Sequence, residues 1–82
     1  MKGGFSKGGF MKKLILYIVQ SLGARPESIN IRVERGEVTT FVLKVHPEDK
    51  PLVWGENGKV FQSIKTIISA AASHPVKLKL EV

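Results

Sequence analysis

Val53-Trp54-Gly55-Glu56-Asn57-Gly58-Lys59-Val60-Phe61, VWGENGKVF, sets two glycines around a two-residue tip, directly before a run with helical apolar spacing. Glycine lets a backbone approach a ligand closely, and the first turn of a helix leaves N–H groups without partners. The pattern therefore reads as a seat for a phosphate, built from main-chain donors beside Gly55 and Gly58 and at the start of the helix that follows. Glu56, an acid at the tip, opposes that reading.

The flanks decide which fold carries the loop. Downstream, Val60, Ile64, Ile67, Ile68, Ala71 and Ala72 mark the apolar face of a long helix that His74-Pro75 terminates. Upstream, Asp49 reads as an N-cap and Pro51 as a first-turn residue of a short helix ending at Trp54. Further out, Ile29, Ile31 and Val33 alternate with polar residues and give a strand, which Arg35-Gly36-Glu37 turns into a second one over Val38 to His46. Phe41, Leu43 and Val45 share one face of that strand, and Thr40, Val42 and Lys44 the other. Val76, Leu78, Leu80 and Val82 alternate with Lys77, Lys79 and Glu81 in a last strand. At the front, Leu14, Ile15, Ile18, Val19 and Leu22 define a first helix over Lys12 to Leu22, stopped by Gly23 and Pro26. Leu16 and Tyr17 fall off its main stripe.

The order is αββααβ, a single α+β domain. The tight turn makes the first two strands antiparallel, and the two intervening helices make the second and third parallel with a right-handed crossover. The result is a three-stranded mixed sheet with helices on one face.

At 82 residues the chain has room for one core and little room for a buried catalytic cleft. It contains no cysteine, which removes disulfides and thiolate metal sites and suits a cofactor-free protein of the cytoplasm. His46 and His74 stand apart, no Ser/His/Asp set is available, and Glu48-Asp49 is better explained by capping than by a metal, so neither an enzyme nor a metal protein is expected. The longest apolar run, Leu14 to Val19, is too short to span a bilayer. Thirteen Lys and Arg against seven Asp and Glu give +6, a field that attracts polyanions.

The first ten residues, MKGGFSKGGF, contain KGGF twice and show no apolar period. They read as a flexible, basic, Gly-rich leader, with the domain occupying 11–82. One function is a tail adding nonspecific affinity through Lys2, Lys7, Phe5 and Phe10. The preferred alternative is translated leader before a native start at Met11, because Lys-Gly-Gly is what a purine-rich ribosome-binding sequence encodes in frame. Removing its two lysines from +6 leaves +4, so the basic balance belongs to the domain.

From Met11 onward the chain resembles a KH domain of the type II order, and in particular the small stand-alone bacterial KH proteins of the KhpA family. The resemblance is carried by the opening MKKLILYIVQSL, by VHPED before the loop, by VWGENG in place of V-I-G-K-x-G, and by GKVFQSIKTIISAAA after it. It implies binding of single-stranded RNA, the GxxG loop clamping the backbone of about four nucleotides and bases lying in a groove between the first helix of the pair and the neighbouring strand. It also implies self-association, a larger KH-containing partner and no cofactor. The candidate RNA-binding residues are Lys50, Val53, Trp54, Gly55, Glu56, Asn57, Gly58, Lys59 and Lys65.

Two departures from the motif matter. Glu56 stands where the family has Lys or Arg, and a carboxylate about 4 Å from a phosphate costs roughly 1 kcal/mol in water, so a weakened clamp of low sequence specificity is expected. Trp54, where the family commonly has Ile, reads either as a stacking platform for a base or as a core side chain. An alternative function is a protein-interaction or dimerisation subunit with a degraded clamp, using Trp54 and Phe61 as its interface. Single-stranded DNA in place of RNA also fits the backbone donors.

Overall fold

The first helix, α1, spans Lys7–Ser21 in a computed structural model that describes residues 7–81. Met11, Ile15 and Val19 recur every four residues and are buried, with Leu14, Ile18 and Leu22 packed half-buried beside them. Gly23, at φ 101°, ends the helix. Its N–H donates to the Gln20 carbonyl at 2.9 Å and the Ala24 N–H to that of Val19 at 3.4 Å, the bond pair of a Schellman stop.

The start of α1 differs from the expected boundary. Residues 7–10, assigned to a flexible leader, form its first turn. Met11 is anchored in the core, and packing at that point supports a turn that Gly8 and Gly9 disfavour by propensity. Residues 1–6, the rest of the expected leader, lie outside the described residues.

The strands are β1 (Asn30–Glu34), β2 (Thr39–Lys44) and β3 (Val76–Leu80). They lie in the order β1-β2-β3, the first pair antiparallel and the second parallel, as the connections require. The register builds two apolar rows across the sheet, Ile31–Leu43–Leu80 and Val33–Phe41–Leu78, which pack into the same core as the helices. The intervening row, Arg32–Val42–Lys79, points to the uncovered face. Val42 is nonetheless only 6% exposed. Arg32 reaches from β1 to Glu81 beyond β3 at 3.4 Å and to Glu34 at 3.3 Å, so its aliphatic stem crosses β2 and covers Val42.

The helix pair is α2 (Lys50–Trp54) and α3 (Lys59–Ala71). Phe61, Ile64 and Ile68 form the buried stripe of α3, whereas Ile67, expected in the core, is 46% exposed. The stripe is turned toward the bulkier Phe61, while Val60 abuts Gly55 and packs half-buried against the same core.

Asp49 does not cap α2. The capping group is His46, whose Nδ1 accepts the Glu48 N–H at 3.1 Å at the head of a 3-10 turn, Pro47–Asp49. Asp49, 5% exposed, instead accepts the Arg25 N–H on Oδ2 at 2.9 Å. The Arg25 guanidinium pairs with Glu48 at 2.9 Å. This bond holds the Glu48 carboxyl below its usual range and raises Arg25 further. Together these contacts tie the α1–β1 connection to the entry of α2, and so fix where the loop after α2 projects.

Candidate nucleic-acid interface

The turn between α2 and α3 is built by three residues with positive φ, Gly55 (78°), Asn57 (56°) and Gly58 (74°). Asn tolerates the left-handed region better than most residues with a Cβ. The glycines are required for packing. A Cβ on Gly55 would lie 2.7 Å from the Val60 Cβ and 2.9 Å from its backbone N, and one on Gly58 would lie 2.9 Å from Cζ2 of Trp54. Close approach within the protein therefore accounts for both, with no phosphate invoked.

The main-chain donors correct the simplest form of the anion-seat reading. The Gly55 N–H donates to Pro51 at 2.8 Å, the Gly58 N–H to Gly55 at 3.3 Å, and the Lys59 N–H to Glu56. These three donors, two of them at the bracketing glycines, are satisfied inside the turn. Among the described residues, the tip amides of Glu56 and Asn57 make no backbone or side-chain bond. The available seat is thus two adjacent N–H groups between the glycines, with the exposed side chains of Glu56 and Lys59 beside them.

The side chains expected around the loop separate into groups. Val53 is fully buried and takes the inward position of α2, so it has no surface to offer a ligand. Trp54, one residue on, faces outward and is 48% exposed. It stacks on Phe61, with ring centroids 5.4 Å apart and planes inclined by 30°. Lys65 Nζ lies 5.8 Å from the Phe61 ring centroid. Lys50 stands at the far end of α2 from the loop.

Lys65 also lines a cleft of about 240 Å³ between α3 and β3, with Ile68, Ser69, Val76, Lys77, Leu78 and Lys79. Its lining includes three lysines and no acid; Lys65 comes from α3, whereas Lys77 and Lys79 alternate with the core residue Leu78 and belong to the strand face turned away from the helices. Because β3 is an edge strand, the backbone groups on its outer side have no strand partner. Lys77 and Lys79 escaped the sequence reading, although the alternation Val76-Lys77-Leu78-Lys79-Leu80 already sets both on one strand face. No group of His, Cys, Asp and Glu fit to hold a metal ion occurs among the described residues, and none of their helices is long and apolar enough to cross a membrane.

Comparison with known proteins agrees with this architecture. The family described as KhpA/KhpB, KH domain, matches residues 12–82. The RNA-binding protein KhpA of Clostridium perfringens is 38% identical over 63 residues, covering 76% of this chain and 84% of its own length. That of Oceanobacillus iheyensis is 40% identical over 62 residues, 74% of this chain and 83% of its own. That of Listeria monocytogenes serovar 1/2a is 35% identical over 74 residues, 88% of this chain and 97% of its own. No solved structure gives a significant match. In element order, in the glycine-bracketed turn between paired helices and in the span matched, the chain belongs to the KhpA/KhpB KH-domain family, which is not a family of enzymes.

Proposed function

We propose that this chain is a cytoplasmic RNA-binding module that holds single-stranded RNA by its backbone, weakly and with little sequence preference, and needs no cofactor. Relatives that bear the name RNA-binding protein support the ligand class. The observation that carries the mode is the pair of unpartnered amides at Glu56 and Asn57 beside the exposed Lys59, on a chain whose net charge is +6 and whose Lys65, Lys77 and Lys79 border one cleft. Two adjacent N–H groups bridge the oxygens of one phosphate, and the lysines neutralise those that follow. Contacts to phosphate carry no sequence information, so low specificity follows from the same geometry.

Titration with an unstructured RNA oligomer, read by backbone amide chemical shifts, tests this. Shifts concentrated at Glu56, Asn57 and Lys59 and along Lys77 to Lys79 are expected; shifts elsewhere, or none, refute it. The DNA oligomer of the same sequence, titrated in parallel, reports whether the sugar is read.

A second reading, a subunit that pairs with itself or with a larger KH-containing protein, draws on the half-exposed Trp54. Phe61, its intended companion in such an interface, is buried and gives it no support. Amide shifts that depend on protein concentration without ligand would favour this reading.

A further inference from the structure

We infer that Trp54 is a stacking platform for one unstacked nucleobase, placed beside the loop so that the strand is gripped by a base as well as by its phosphates. The inference rests on the RNA-binding reading and deepens it. Three observations carry it.

First, the ring is not needed to fill the interior. Val53 occupies the inward position of α2 and is fully buried, while Trp54 leaves 48% of its surface in solvent.

Second, the indole is held in place before any ligand arrives. Phe61, itself buried, stacks against it at 5.4 Å, and Gly58 passes so close beneath Cζ2 that a single methyl group there would displace it. An aromatic fixed in this way loses little freedom when a base settles on it.

Third, the position is continuous with both anion-binding parts of the site. The free amides of Glu56 and Asn57 lie two and three residues along the chain. On the other side the contacts run from Trp54 to Phe61 to Lys65, which lines the α3–β3 cleft. A strand running from the loop toward Lys65 would meet the indole on its way. Every base has a π-face, so this contact adds affinity without imposing a sequence.

Trp54 is the sole tryptophan of the chain, which makes its fluorescence a direct reporter. The full chain is titrated with an unstructured RNA octamer and with an octamer of abasic ribose phosphates, while anisotropy of a terminal dye reports binding. Quenching of Trp54 by the base-bearing strand alone, with affinity about five to a hundred and fifty times that of the abasic strand, is the expected result, the equivalent of ~1–3 kcal/mol for one stacked base. W54F keeps most of this advantage and W54I removes it, while circular dichroism melts establish that each variant folds. Equal affinity for the two strands with unchanged fluorescence overturns the stacking inference while leaving backbone binding intact. Binding of neither strand overturns it together with the RNA-binding reading, and the abasic control tells these failures apart.

Discussion

Replacing Glu56 isolates the charge at the tip of the loop from the geometry of its backbone. The side chain is exposed, and the amides it flanks are the two that remain free for a ligand. A phosphate seated on those amides lies about 4 Å from the carboxylate, where two unit charges in water interact by ~1 kcal/mol. At physiological ionic strength, with a Debye length of about 8 Å, roughly 60% of this survives. Glu56→Gln removes the repulsion and is expected to tighten binding about threefold to fivefold. Glu56→Lys replaces repulsion by attraction, a swing of ~1.2–2 kcal/mol, or about eightfold to thirtyfold. It also adds one neutralised phosphate, so the slope of log K against log salt steepens by about 0.7 for a single strand. Fluorescence anisotropy of a dye-labelled, unstructured RNA octamer across a salt series gives both numbers for all three proteins. Identical affinities and slopes would show that no phosphate occupies the tip and that the loop is not part of the binding surface.

Other perturbations test the scaffold and the cleft. Asp49→Ala leaves the Arg25 N–H without its acceptor and is expected to cost ~1–3 kcal/mol of stability; a denaturant midpoint unchanged from wild type would refute the lock between the α1–β1 connection and α2. Gly55→Ala should be more damaging than Gly58→Ala, because its new Cβ meets the Val60 backbone while that of Gly58 meets only a side chain, the Trp54 indole, and because Gly55 holds φ 78°, ψ −178°, a region essentially restricted to glycine, whereas Gly58 is left-handed α; equal thermal shifts would contradict the ranking. Glu48 is held below its ordinary pKa by Arg25, so the stability it contributes is present above the unfolded value and is lost as pH falls through the lower folded one. Melts between about pH 6 and pH 3 should therefore show wild type losing slightly more than Glu48→Gln, and parallel curves would count against the pair. Lys77→Gln and Lys79→Gln should weaken binding alike for all sequences and each flatten the salt slope by about 0.7; a variant that changed sequence preference would mean the cleft reads bases through these side chains.

Most of the fold was legible because alternating and helical apolar patterns encode it directly. Ile31 and Val33 opposite Leu43 and Phe41 follow from period two, and Gly23 announces the end of α1. What escaped depends on contacts distant in sequence. Asp49 looks like an N-cap beside Pro51, and nothing nearby reveals that an amide 24 residues earlier claims its carboxylate. The apolar stripe of α3 was read through Val60 and Ile67 because both are apolar at helical spacing. Phe61, which the sequence offers as core or interface, is buried, Val60 packs half-buried against the same core, and Ile67 is the residue of that stripe left exposed. Lys77 and Lys79 are visible as a pair on one strand face, yet nothing nearby in sequence shows that they border the same cleft as Lys65 of α3.

The same distinction separates the loop's shape from its charge. Both glycines are demanded by neighbours within the protein, Val60 and Trp54, so the GxxG spacing by itself testifies to a tight junction between two helices and not to a ligand. The side-chain charges of the turn and its exit, Glu56 and Lys59, cancel. Lys65, Lys77 and Lys79 border the α3–β3 cleft, with no acid among its lining residues. On the proposed reading, long-range attraction for a polyanion comes from the net positive charge of the chain, whereas the turn contributes two oriented dipoles that act only at contact. An acid is tolerable at the tip on these terms. On the proposed reading it lowers affinity at one phosphate without reversing the net positive field, so Glu56 is compatible with a weakened clamp and does not by itself argue for a lost one.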